Sequence, residues 1–167
     1  MTAKEYNKSA LLWADDAMRF AVRCGGSKAD SEDAVQEALA TLWQQHESVA
    51  LERGKGFLLS TTYRRLMSMF RHQAVQRNHA AELAVQESQA PDECFDLREA
   101  IERALSVLPE VQRAILQLRD VEGYSYAEIG ETLTIDENRV QVYLFRARVA
   151  MRKQLKTMGY DNERDKR

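Results

Sequence analysis

The 167-residue chain carries only 2 prolines, 7 glycines and 2 cysteines, so little in it interrupts helices and little is available for covalent cross-linking. Cys24 and Cys94 lie far apart and stand at no metal-ligand spacing from His46, His72 or His79. They read as two free thiols in a reducing compartment. No apolar run approaches the ~18 residues a membrane span needs, and no apolar signal-peptide core is present, so a cytoplasmic protein without membrane insertion is expected. There is no Gly-rich phosphate loop, metal-ligand cluster or nucleophile motif. No catalytic residue, metal site or cofactor is expected, and the chain does not read as an enzyme.

What is present favours helices. Ala, Leu, Glu, Gln and Arg are plentiful, and 44% hydrophobic with 30% charged residues supports a folded chain. The fold class expected is all-α. The formal net charge of -2 hides segregation. The stretch Ser60–His79 holds Arg64, Arg65, Arg71 and Arg77 without an acid, and Arg139–Lys156 holds six cations without an acid. Asp30, Glu32, Asp33 and Glu37 cluster elsewhere. Such asymmetry fits a protein that meets a polyanion with some surfaces and a basic partner with another.

The stretch Gln86–Glu93 has the lowest hydrophobicity and contains Pro91. It marks a linker over residues 75–95, helical at its start, between a module at 1–74 and another at 96–158, followed by a polar tail at 159–167. Modules of this size are marginal alone, so docking to a larger partner would suit them.

In the first module, Leu11, Leu12, Ala14, Met18, Ala21 and Val22 predict one apolar stripe, ending at Gly25-Gly26. Asp30 or Ser31 is the expected cap of the next helix, whose buried face is read as Val35, Ala38, Leu39, Leu42 and Trp43. Gln44–Gly56 reads as a loop broken by Gly54 and Gly56, and Phe57 to about Gln73 as a helix buried through Phe57, Leu59, Thr62, Leu66 and Phe70.

In the second module, Leu97, Ile101, Ala104, Leu105 and Leu108 predict a helix stopped by Pro109, which is expected in the first turn of the next one. Ser125 and Glu128 form a capping box. Helix Tyr126–Leu133 and a helix capped by Asp136 are then separated by three residues, a helix-turn-helix spacing. In the last helix Val140, Leu144, Ala147, Met151 and Leu155 make a buried seam. Arg139, Val142, Arg146 and Lys153 project opposite, flanked by Asn138 and Phe145. Arginine can bond a guanine edge or a phosphate, asparagine suits adenine, and an apolar side chain can meet a thymine methyl. Tyr63, Phe70 and His72 among Arg64, Arg65 and Arg71 suit stacking on unpaired bases; core aromatics beside solvated arginines remain the alternative.

The segment Asp30–Trp43, DSEDAVQEALATLW, resembles the core-polymerase-binding helix of sigma factors. The segment from Leu108, LPEVQRAILQLRDVEGYSYAEIGETL, resembles their promoter-binding C-terminal domain. The chain is similar throughout to the small extracytoplasmic-function (ECF) group, with a region 2 bundle and a region 4 helix-turn-helix domain. The resemblance implies that Asp33, Gln36 and Glu37 contact core RNA polymerase. It implies that Tyr63, Arg64 and Arg71 meet the minus-ten element, and that Arg139, Gln141, Val142, Phe145 and Arg146 meet the minus-thirty-five element, to which the helical-face reading adds Asn138. Core polymerase, promoter DNA and an anti-sigma factor are the partners implied, with a monomer when free. Free protein is expected to bind DNA poorly, as two unorganised modules on a flexible tether. The chain departs from the family at Thr134, where Gly is usual, at Val140-Gln141-Val142-Tyr143, which lacks two usual cations, and along Ser68–Arg71. The rival readings are a stand-alone helix-turn-helix regulator and an adaptor that reads no DNA.

Overall fold

A computed structural model describes residues 1–80 and 96–160. The low-hydrophobicity stretch Gln86–Glu93, with Cys94, and the tail beyond Tyr160 lie outside the described residues. Among the described residues the regular elements are all helical: α1 (Ala3–Arg23), α2 (Lys28–Gln44) and α3 (Leu51–Ala80), then α4 (Leu97–Ser106), α5 (Glu110–Leu116), α6 (Tyr126–Leu133) and α7 (Glu137–Thr157).

α1 opens with a capping box in which Thr2 and Glu5 each satisfy the other's backbone N–H. It ends at Arg23, and Gly25 then turns the chain at φ +102°. The face it buries differs from the expected stripe. Ala17, Phe20, Ala21 and Cys24 are buried, whereas Leu11 is 78% and Leu12 69% exposed. Ala17 and Ala21 beside Phe20 let α1 pack on α2 and α3, and Leu11 and Leu12 fall outside that face.

α2 is capped by Ser27, whose hydroxyl accepts the Asp30 N–H at 3.1 Å, instead of by Asp30 or Ser31. Ser31 is buried behind Gly26, where a Cβ would lie 2.5 Å from its hydroxyl. α3 begins at Leu51, so Gly54 and Gly56 are helical and the expected long loop shrinks to a short turn. Gly54 serves a close approach: a Cβ there would sit 2.5 Å from the Trp13 ring. α3 continues to Ala80, about 45 Å in all. Leu42 of α2 and Leu58, Leu59 and Leu66 of α3 are fully buried, each contributing about 2 kcal/mol of apolar transfer.

In the second module α4 buries Ala100, Ala104 and Leu105, while Leu97 and Ile101 remain exposed. Pro109 precedes α5 as its cap residue and does not occupy the first turn. α5 widens into a π-helical turn over Gln117–Val121 before the turn at Gly123. α5 and α6 pack on α7 around Ile115, Leu118, Ile129, Val140 and Leu144.

The modules do not stand apart as tethered, unorganised units. α5 touches α1 and α6 touches α3. Arg23 Nη1 donates to Gln117 Oε1 at 3.2 Å, Ser60 Oγ donates to the Thr132 carbonyl at 2.8 Å, and Lys55 Nζ lies 2.6 Å from Glu122. Buried apolar residues of both modules join in one cluster, which compensates for the small core each holds alone.

Candidate nucleic-acid interface

The helix-turn-helix is fixed by local backbone chemistry. The Ser125 hydroxyl accepts the Glu128 N–H, and Glu128 Oε2 accepts the Ser125 N–H at 2.7 Å. These bonds from the Ser125 hydroxyl and backbone hold the Glu128 carboxyl below its usual range. α6 ends in a left-handed residue, Thr134, at φ 59° and ψ 48°. The Ile135 N–H then returns to the Gly130 carbonyl at 3.0 Å. The turn folds so tightly onto α6 that a Cβ at Gly130 would sit 2.8 Å from the Ile135 carbonyl oxygen. Asp136 caps α7 through the Arg139 N–H at 3.0 Å.

α7 divides as its sequence indicates. Val140, Leu144 and Ala147 are buried. Asn138, Arg139, Gln141, Val142, Phe145 and Arg146 are all exposed, Phe145 by 70%. The outward side holds two kinds of cation. Arg146 has no ion pair among the described residues, whereas Arg148 is paired with Asp120 at 2.5 Å. Arg139 is loosely held by its own cap residue, Asp136, at 3.3 Å. The resulting surface is apolar along Val142, Phe145 and Val149 and cationic along its flanks. It suits a groove with phosphates at its rims and base edges on its floor.

The second candidate surface, on α3, is partly covered. Arg64 and Arg71 are exposed, but Tyr63 is only 8% exposed. Burial, with smaller contributions from Cys24 and Glu110, pushes the Tyr63 phenol up to about 12. Tyr63, Arg64, Met67, Phe70 and Arg71 share a groove of about 680 Å³ with Leu133 and Thr134 of the other module. Thus the helix-turn-helix module rests against the flank of α3 that carries the candidate aromatic and cationic contacts. Met67 completes this face at i+4 from Tyr63, a spacing by which the sequence would have revealed it.

On α2, Asp33, Gln36 and Glu37 lie together on the exposed face. Asp33 and Gln36 point to solvent, and Glu37 pairs with Arg65 at 2.7 Å. With both partners about half exposed, that pair is weak and readily exchanged for another. Arg65 is a neighbour that the sequence reading did not assign to this surface. Among the described residues no set of His, Cys, Asp and Glu is arranged to hold a metal ion, and no helix is long and apolar enough to cross a membrane.

Comparison with known proteins agrees with this geometry. Residues 12–75 match the family described as Sigma-70 region 2, and residues 98–151 match Sigma-70, region 4. The chain is 32% identical to the ECF RNA polymerase sigma factor SigL of Mycobacterium tuberculosis, across 90% of this chain and 86% of that protein. It is 29% identical to the ECF RNA polymerase sigma factor SigE of Mycolicibacterium smegmatis, across 83% of this chain and 57% of that one. Its fold matches the sigma factor RpoE of Bartonella quintana, solved in complex with the anti-sigma factor NepR, with a TM-score of 0.76 at 21% identity, over 92% of this chain and 98% of that one. The two matched regions, their order and the similarity to SigL over most of both chains favour this reading over a stand-alone regulator, and the chain belongs to the ECF family of RNA polymerase sigma factors, acting as an alternative sigma factor in promoter recognition.

Proposed function

We propose that this sigma factor docks on core RNA polymerase through Asp33, Gln36 and Glu37. It reads the minus-thirty-five element through Asn138, Arg139, Gln141, Val142, Phe145 and Arg146, and captures minus-ten bases with Tyr63, Arg64 and Arg71 as the duplex opens. The observation that carries this reading is the division of α7. Its buried Val140–Leu144–Ala147 seam faces its own module, and the cationic and apolar side chains opposite lie open behind a firmly capped turn. Base unstacking costs a few kcal/mol per step, and phosphate contacts and polymerase docking offset it. The protein supplies binding and orientation and has no catalysis of its own.

The modules as packed leave Tyr63 enclosed. On this reading, engaging the minus-ten bases requires the helix-turn-helix module to leave α3 on polymerase, so the free protein binds promoter DNA poorly because Tyr63 is covered while the α7 face stays open. The protein acts in the cytoplasm and is monomeric when free. An anti-sigma protein is a further partner, as in the complex of RpoE with the anti-sigma factor NepR from Bartonella quintana.

The test is run-off transcription with bacterial core polymerase on a library of promoter fragments. Transcripts that depend on this protein and share two spaced upstream elements are expected, and Gln36→Ala with Glu37→Ala should abolish them. Tight polymerase-free binding to a palindromic site, without such transcripts, would overturn the reading.

A further inference from the structure

Trp43 is the aromatic side chain that the fold turns outward without an assigned use. Of the described aromatics, Trp43 and Phe145 are the two that fall among the exposed large hydrophobics, and Phe145 belongs to the DNA face of α7. Sequence periodicity placed Trp43 in the buried face of α2, yet it is 43% exposed. Exposed residues Asp33, Gln36, Glu37, Ala40, Trp43 and Gln44 follow one another at helical spacing, so Trp43 continues the acidic-polar face of α2 toward its C-terminus.

The ring is also held from two sides. His46 stacks on it at 4.6 Å between centroids with the planes 4° apart, and Tyr6 meets it at 5.0 Å, tilted by 58°. Each neighbour is itself tied down. Tyr6 Oη donates to the Leu39 carbonyl at 3.0 Å, and His46 Nδ1 lies 2.6 Å from the Trp43 carbonyl oxygen. An exposed tryptophan whose rotamer is already fixed loses little entropy on binding, and rigid aromatics of this kind dominate protein interfaces.

We infer that Trp43 is the apolar anchor of the polymerase-docking face, entering a socket on core polymerase while Asp33, Gln36 and Glu37 meet basic and polar groups beside it. Tyr6 and His46 act as positioning residues. The inference rests on the proposed docking role of α2 and extends that surface by two helical turns.

Binding of the full chain to core polymerase tests it, with thermal unfolding of each variant alongside. Trp43→Ala should weaken binding by about tenfold or more, Trp43→Phe should retain most of it, and His46→Ala should give an intermediate loss. Full chain carrying p-benzoylphenylalanine at position 43 should photo-cross-link to polymerase, whereas the same group at exposed Leu11 should not. This second measurement serves even where Trp43→Ala folds poorly. If Trp43→Ala binds within twofold of the parent while Gln36→Ala with Glu37→Ala is weakened, the anchor is overturned and the docking face stands. If the parent protein itself fails to bind core polymerase, the docking reading falls and the anchor falls with it.

Discussion

Lys55 Nζ, on α3 of the first module, stands 2.6 Å from Glu122 Oε2 of the second. Asp16 of α1 holds the same ammonium at 2.7 Å. Burial works against the Lys55 charge, but the hydrogen bonds and fields of the two carboxylates outweigh it and raise its pKa above the usual lysine value. A raised lysine contributes stability below its unfolded pKa and loses it only as pH rises through the folded one. The clasp is therefore complete at neutral pH and is lost only as pH rises past the ordinary lysine range, so mild alkali should not open it. Lys55→Glu places three carboxylates together and should cost the docked arrangement about 2 kcal/mol. Small-angle scattering should show a larger radius of gyration for this variant. An unchanged radius would mean that the apolar contacts between the modules hold them without the clasp.

Cys24 reports on the same junction. It is completely buried, and burial pushes its thiol up to about 12, with Arg113 of the second module opposing that shift. The thiolate is the reactive form, so at pH 8 native Cys24 should be almost inert to a disulfide reagent. In Cys94→Ser, where Cys24 is the remaining thiol, labelling should run at least a hundredfold slower than in the denatured chain. Adding Lys55→Glu should accelerate it, because Arg113 packs at Gly25 beside Cys24, where a Cβ would lie 2.5 Å from its Nη1. Equal rates with and without Lys55→Glu would show that Cys24 is shielded by the first module alone.

The elements best read from sequence are those governed by local chemistry. The Ser125–Glu128 box and the Asp136 cap each depend on residues within a few positions of one another, and each stands as expected; the α7 seam is buried at Val140, Leu144 and Ala147 and only half-buried at Met151 and Leu155. Local pattern misleads where a distant partner decides. Gly54 looks like a breaker until Trp13 lies against it. Leu11 and Leu12 look like core because they are large, whereas α1 buries Ala17, Phe20 and Ala21 on another face and turns the leucines outward. Trp43 fits the α2 periodicity, and the Tyr6 and His46 rings hold it at the surface. The docking of the two modules had no local signature. Lys55, Ser60 and Arg23 find their partners 67, 72 and 94 positions away.

The turn of the helix-turn-helix stores strain at Thr134. A β-branched residue at φ 59° and ψ 48° crowds its own backbone, and glycine would not. Thr134→Gly should raise the stability of the protein by about 1 kcal/mol, after a partial offset from the greater freedom of glycine in the unfolded chain. Thermal or urea unfolding measures this. A destabilised Thr134→Gly would mean that the threonine side chain makes a favourable contact in the groove it shares with Tyr63 and Phe70.

Two arginines two positions apart on α7 should respond in opposite ways. Arg146 is exposed with no ion pair among the described residues, while Arg148 is committed to Asp120 at 2.5 Å. An arginine that meets a base edge or a phosphate is worth about 1–3 kcal/mol of binding. Arg146→Ala should therefore weaken promoter binding by the polymerase holoenzyme by that amount and flatten its salt dependence. Arg148→Ala should leave promoter affinity within about twofold and lower stability by at most about 1 kcal/mol, since the ion pair it removes is half exposed. Promoter titrations at two salt concentrations, with urea unfolding of the free proteins, separate these outcomes. Should Arg148→Ala cause the greater loss of promoter binding, the pair with Asp120 must break on DNA, and the contact surface of α7 would be rotated away from Val142 and Arg146 toward Arg148.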